Sequence, residues 1–249
     1  MLKNGKGPGE TKKVAVLSYH KIGEPAPGGW KTWFYIPEET FADQIRYLRN
    51  DGWQAIDIDA FLRGLTDPET LPDRTCLITF DDGYSVTMQI ASDWLQRAGC
   101  PAVLFMSTAY IGGTNWFDSG IEPEERMCDW DELRDLRRAG ISVESHCASH
   151  RRLSELTADQ QQEELTRSRE ALENNLNSPV EVIAFPYGDA GDTLRGSARP
   201  LRSAGYKAAF TYGGGPVSLP AANLFHMSRL AMGPNTNLEA ELARERQSP

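Results

Sequence analysis

Basic residues are in short supply in this chain: 26 Lys and Arg stand against 35 Asp and Glu, a net charge of -9. That deficit argues against nucleic acid or an anionic membrane surface as a partner, because binding to phosphate needs a basic face. Long apolar runs are also missing, and none approaches the roughly 18–20 residues that span a bilayer. The opening MLKNGKGPGETKK is basic and glycine-rich, and the first apolar run, residues 14–17, is too short for the core of a signal peptide. The expectation is a cytoplasmic protein, or one whose targeting segment lies outside this chain. The four cysteines, Cys76, Cys100, Cys128 and Cys147, form no CxxC pair, and their spacing fits neither a zinc knuckle nor a disulfide framework. Histidine is just as sparse, with only His20, His146, His150 and His226.

What is present is an alternation of short apolar runs and amphipathic segments. Strands are expected at residues 14–19, 54–58, 76–80, 102–107, 142–145, 182–185, 208–211 and 225–232. Helices are expected at residues 38–50, 85–98, 131–139, 158–177 and 192–204. Several helices end on a glycine that precedes the next strand, as in NDGWQAI, RAGCPAV, RAGISV and SAGYKAA. Thr157 is placed to cap the longest helix. Repeated βα units imply parallel strands with right-handed crossovers, and eight short strands suit a closed barrel better than an open sheet. No Gly-rich dinucleotide fingerprint follows the first strand, which ends instead in His20 and Lys21. The Gly/Pro-rich segment at residues 24–29 and the stretch at 112–125 read as loops, with no domain boundary and no internal repeat.

Chemistry in a parallel barrel collects where the strands run out. The first strand ends in Ser18-Tyr19-His20, the third in Thr79-Phe80-Asp81-Asp82-Gly83, the fifth in Ser145-His146 with His150 four residues on, and the sixth in Pro186-Tyr187-Gly188. Adjacent carboxylates repel unless a cation or an acid/base task offsets them, although Asp-Asp-Gly is also good turn chemistry. His146 and His150 can converge on one ion, or be two partly buried structural histidines. Two imidazoles and a carboxylate make an open three-donor set. Cys147, between the two histidines, could approach a metal but is simplest as a buried thiol. Asp129 is either a helix N-cap or, with Trp130, part of a cleft. Trp30, Trp33, Phe34 and Tyr35 could stack on a ligand or cover the core.

ITFDDGY at residues 78–84, SHCASH at 145–150 and AFPYG at 184–188 resemble, in order and spacing, the motifs of the polysaccharide deacetylase family (the NodB-homology, carbohydrate esterase family 4 proteins). The resemblance runs from about residue 14 to about residue 232. It implies an α/β fold, a distorted (β/α)7 barrel, with residues 1–13 a disordered N-terminal segment and residues 14–249 the deacetylase domain. It also implies one divalent metal, most often Zn2+, with Co2+, Ni2+ or Mn2+ accepted by the same donors. Asp81 would be the general base, Asp82, His146 and His150 the metal ligands, and Pro186 and Tyr187 substrate-binding residues, the Tyr187 N–H holding the oxyanion. The substrate would be an N-acetylated glycan such as an N-acetylglucosamine polymer, which the acidic surface does not disfavour.

The match has one departure. The family's third motif usually opens on an arginine that orients the base, and here Ala184 stands in its place. The AFPYG form, together with LSYHKI at residues 17–22, resembles the poly-N-acetylglucosamine deacetylase subgroup, in which the barrel is circularly permuted. That places His20, rather than His226, as general acid. Two other readings remain at this stage: a different C–N hydrolase on the same barrel, and a catalytically silent glycan-binding domain.

Overall fold

The computed structural model describes residues 11–247. In chain order, β1 (Lys12–Tyr19) is followed by a short parallel pair, β2 (Lys21–Ile22) and β3 (Tyr35–Ile36), with a loop between them. Then come α1 (Glu38–Asn50), β4 (Gln54–Ala55), α2 (Ile58–Thr66), β5 (Thr75–Phe80), α3 (Ser85–Ala98), β6 (Ala102–Met106), α4 (Trp130–Arg138) and β7 (Ile141–Ser145). The chain continues through α5 (Ala158–Leu176), β8 (Val182–Ala184), α6 (Arg195–Ser203), β9 (Ala208–Phe210), β10 (Val217–Leu219), β11 (Leu230–Ala231) and α7 (Leu238–Gln247).

The expected parallel barrel is present, as a curled sheet in the order β1-β5-β6-β7-β8-β9. The gap between its two ends is bridged by residues 224–232. Met227 pairs in parallel with Phe210 beyond one end, and Leu230 and Ala231 pair in parallel with Leu17 and Ser18 of β1 at the other. β11 is thus the seventh parallel strand around the curl, while the two-residue β4 pairs in parallel with the start of β5 off this path and β10 adds an antiparallel edge to the start of β1. Alternation along each strand sorts the core into two layers. Odd residues of β1 and even residues of β5, such as Leu17 and Ile78, pack with Phe41, Leu95, Leu133 and Leu165 from the outer helices. The opposite set, including Val14, Val16, Leu77, Val103, Phe105, Val182, Ala184 and Phe210, fills the inside of the curl with Ile58 and Phe61 of α2. Ile58, Asp59 and Leu62 of α2 line a pocket with Ile141 and Glu181, where β7 and β8 begin, so the helix covers the barrel at its N-terminal end.

Three expectations need correction. The strand at residues 54–58 stops at Ala55, because Asp57 caps α2 by accepting from the Ala60 N–H at 2.7 Å. The strand at 225–232 is only a bridge at Met227 and two residues of β11, because its middle departs toward the barrel interior. Lys12 and Lys13 belong to β1, two residues inside the segment expected to be disordered; residues 1–10 lie outside the described residues. The helix caps fare better: Thr157 with Gln160, and Asp129 with Glu132, each form a reciprocal capping box. Asp129 is therefore a cap. Among the described residues, no helix is long and apolar enough to cross a membrane.

Candidate active site

Register decides what meets at the mouth of the barrel. Tyr19 pairs with Phe80, so His20 and Asp81 leave their strands side by side, and the Asp81 N–H donates to Tyr19 O at 2.9 Å. Ser145 pairs with Ile183, so His146 comes level with Ala184. Its Nδ1 lies 2.8 Å from the Ala184 carbonyl oxygen. A carbonyl only accepts, so Nδ1 carries the proton and the lone pair is left on Nε2.

The backbone is bent where the chemistry sits. Asp82, Cys147, His150 and Tyr187 are non-glycine residues with φ between 54 and 70°, a left-handed conformation costing about 1–2 kcal/mol per residue. Gly83, at φ 103°, completes the Asp-Asp-Gly turn, and a Cβ there would collide with Met106 Sδ. The turn reading and the chemical reading of Asp-Asp-Gly thus describe one feature: the turn aims the two carboxylates at different partners.

Asp82 faces the imidazoles. Its Oδ1 lies 3.0 Å from His150 Nε2 and 3.3 Å from His146 Nε2. Yet this buried oxygen has no hydrogen-bond partner, so neither ring nitrogen points a proton at it. Donor atoms from the three residues all lie within 4.8 Å of one another. Tetrahedral ligands held about 2.0–2.1 Å from an ion sit about 3.3 Å apart. The spacing, the free lone pair on His146 and the orphaned Asp82 oxygen therefore fit one divalent cation. Burial opposes ionisation of Asp82, but the His150 and His146 imidazoles beside it outweigh this and hold the carboxyl well below the usual range. Cys147 is buried outside this group, its thiol pushed up by burial.

Asp81 faces the other way. Arg229 grips it with both arms of the guanidinium, Nη1 to Oδ1 at 2.7 Å and Nη2 to Oδ2 at 2.8 Å. Burial again works against the charge, and Arg229 with the nearby imidazoles overcomes it, so the Asp81 carboxyl is held below its ordinary value. Ser18 Oγ at 3.4 Å and His20 Nε2 at 3.7 Å stand beside Oδ2. His20 packs at a tilt against Phe34 and meets Tyr212 edge-on, with centroids at 4.6 and 5.3 Å. Its Nδ1 is buried without a partner. Burial lowers the His20 pKa, and Asp81 and Asp82 only partly offset this. His226 is exposed, one residue before the Met227 bridge to Phe210, and does not join the group.

Two loops rim the mouth. Lys21 and Glu122, both buried, pair at 2.6 Å. Thr32 Oγ1 donates to Glu122 at 2.8 Å, and Tyr35 OH donates to Glu125 at 2.7 Å. Asn115 ties the same loop together, bonding Pro123 O and the Glu125 N–H. The loop so fixed lays Phe117 on the His150 ring, with centroids 4.0 Å apart, and presents Trp116 to solvent. Asp118 accepts from Tyr187 OH at 3.3 Å, and the Tyr187 ring lies 4.7 Å from His150. Pro186 is buried beneath that turn. Of the aromatic cluster singled out in sequence, Tyr35 is buried, whereas Trp30 and Trp33 are exposed.

Buried donors at the C-terminal ends of parallel strands, with a separately anchored carboxylate beside them, make the mouth of the barrel the candidate active site. Residues 69–209, more than half of the chain, match the profile of the family described as Polysaccharide deacetylase, and the chain belongs to that family. It is 27% identical over 176 residues to YxkH of Bacillus subtilis, covering 71% of this chain and 57% of that protein. It is 21% identical over 263 residues to the poly-beta-1,6-N-acetyl-D-glucosamine N-deacetylase of Escherichia coli, covering 90% of this chain and 37% of the relative. The chain thus spans little more than half, and little more than a third, of these two curated relatives. The Streptococcus pyogenes deacetylase PplD in complex with acetate shares the fold, with a TM-score of 0.80 at 20% identity, covering 96% of this chain and all of that one. His20 and Arg229 both lie outside the matched stretch.

Arg229 escaped the sequence reading, which left Asp81 without an orienting partner. The one signal available was a basic residue inside LFHMSRL, a stretch otherwise apolar enough to be taken for a strand.

Proposed function

We propose that this chain removes N-acetyl groups from an N-acetylated glycan, of the N-acetylglucosamine type, by metal-dependent hydrolysis that releases acetate. The observation that carries this reading is the division of labour between neighbours: Asp82 Oδ1 turned to two imidazoles, Asp81 turned away onto Arg229. Family membership supports the reaction class, and the similarity to an N-acetylglucosamine polymer deacetylase supports the substrate class.

Asp82, His146 and His150 would hold the cation, which when bound supplies Lewis acidity to an acetyl carbonyl and a lowered pKa to a water. Asp81, kept ionised by Arg229, accepts the proton of the attacking water. The Tyr187 N–H, in the turn beside His150, donates to the developing oxyanion. His20, across Asp81 Oδ2, donates a proton to the departing amine, which would otherwise leave as an unfavourable amide anion. Ring contacts with Phe34 and Tyr212 hold that imidazole in place.

The test is turnover of acetylated glucosamine oligomers before and after chelation. Activity should vanish with chelator and return with Zn2+ or Co2+. Full turnover by a preparation verified as metal-free rules the reading out.

A further inference from the structure

We infer that Glu164 of α5 is a positioning residue for the metal, fixing from outside the donor set the loop that carries both histidines. The inference rests on the assignment of Asp82, His146 and His150 as ligands made above. The two imidazoles are not held alike. A ligating histidine ordinarily donates its second ring nitrogen to a carbonyl or carboxylate, which sets the orientation of the ring. His146 does so through the Ala184 carbonyl oxygen. His150 Nδ1 is buried with no hydrogen-bond partner among the described residues. Phe117 and Tyr187 hold its ring by contact alone. The direction in which His150 Nε2 points is therefore set largely by the backbone that delivers the ring.

That backbone is gripped by Glu164. Its Oε2 accepts from two successive amides, the Ala148 N–H at 2.9 Å and the Ser149 N–H at 2.8 Å. Its Oε1 accepts from Ser149 Oγ at 2.6 Å. The gripped residues stand between Cys147 and His150, both left-handed at φ 61 and 54°. A segment wound in that way persists only where its surroundings hold it. One helical turn along α5, Ser168 Oγ lies 2.8 Å from Ser145 Oγ, which accepts from the Cys147 N–H at 3.2 Å. The carbonyl edge of the loop is held by the segment after β6. Ser107 Oγ donates to His146 O at 3.0 Å, the Ala109 N–H to Ala148 O at 2.8 Å, and Tyr110 OH to Ser149 O at 3.3 Å. On the amide edge at Ala148 and Ser149, Glu164 is the one anchor among the described residues.

Glu164 acts through its reach rather than its charge. A carboxamide of the same length offers an oxygen to the same two amides, and its NH2 can donate to Ser149 Oγ. Glu164→Gln should therefore bind Zn2+ within about threefold of the wild type. Glu164→Asp keeps the charge but falls one methylene short, and should weaken Zn2+ binding about tenfold or more. Glu164→Ala should weaken it by about 10–100-fold. A carboxylate that merely stapled α5 to the barrel would, when removed, lower the melting temperatures of the metal-free and metal-loaded forms alike. Loss of a positioning residue instead shrinks the rise in melting temperature that the metal confers.

The measurements are Zn2+ affinity by competition with a chelating dye, melting temperature with and without metal, and the visible absorption of the Co2+-loaded protein, which reports ligand geometry. Weakened binding and an altered Co2+ spectrum in Glu164→Asp, with Glu164→Gln close to the wild type in both, is the expected result. Unchanged affinity in Glu164→Asp overturns the inference, and so does a Glu164→Gln variant as weak as Glu164→Asp or weaker. If Glu164→Ala does not fold, the Asp and Gln variants decide by these same outcomes. A wild-type protein that bound no divalent ion would instead sink the ligand assignment, an outcome readable without any Glu164 variant.

Discussion

His20 Nε2 stands 3.7 Å from Asp81 Oδ2, close enough for an acid and a base to serve opposite faces of one reacting carbon. His20→Ala should keep fold and metal and lose about 10²-fold or more in acetamide hydrolysis, while an activated acetate ester, whose leaving group needs no proton, loses much less. A general acid works only while protonated. Burial lowers the His20 pKa and a nearby cation pushes in the same direction by repulsion, so amide turnover should fall as pH rises through a value below that of an ordinary histidine. His226→Ala should resemble the wild type on both substrates, and the opposite pattern would make His226 the acid.

The two adjacent aspartates should fail differently. Asp82→Ala removes the oxygen that faces both imidazoles and should lose the metal. Asp81→Asn should retain it at near-normal stoichiometry with turnover down about 10²–10⁴-fold. Elemental analysis of the two purified variants separates these outcomes, and metal lost from Asp81→Asn would reverse the roles.

Breaking the buried Lys21–Glu122 pair should be costly twice over. Glu122→Gln leaves an ammonium without its counter-charge and is expected to destabilise by about 3 kcal/mol. It also frees the loop that holds Phe117 on His150, so kcat/KM should drop with it. Lys21→Met/Glu122→Leu should recover much of the stability in urea unfolding. A double variant as unstable as the single one would show that the charges themselves are not the cause.

Glu144 is a buried carboxyl inside the barrel, pushed up by burial from 4.5 to about 8 although it accepts from the Val182 and Glu181 N–H groups. Between those values the folded protein holds a proton that the unfolded chain has released. Its contribution to stability is therefore fully present below about pH 4.5 and is lost as pH rises through about 8. Glu144→Gln keeps an oxygen for both donors and removes the titration. Urea midpoints for the variant should decline less than those of the wild type across this range, and identical slopes would exclude Glu144 as the source.

Much of the site was legible because β-strand alternation is legible. His20, Asp81 and His146 each extend the inward-facing series of an apolar strand, so motif and periodicity pointed to one place. Long-range contacts leave no such local trace. Arg229 reaches Asp81 across 148 residues, and the Lys21–Glu122 contact spans 101; neither pair has a spacing that announces it. Helix α2 was hidden for a nearer reason. Its opening Ile-Asp-Ala continues the alternation of Ile56 and Asp57, and the cap by Asp57 and the adjacent Phe61 mark the change of period.

The bridge made by residues 224–232 also bears on biosynthesis. A ribosome that has released the chain only as far as β9 has exposed every proposed metal donor, but neither the strap that covers the β1 and β9 edges nor the cation that anchors Asp81. Such a nascent chain carries two unpaired sheet edges, the usual templates for mispairing. Catalytic competence and protection from aggregation would then arrive together, once residues 224–232 have emerged, and proteolytic removal of that strap would take away both at once.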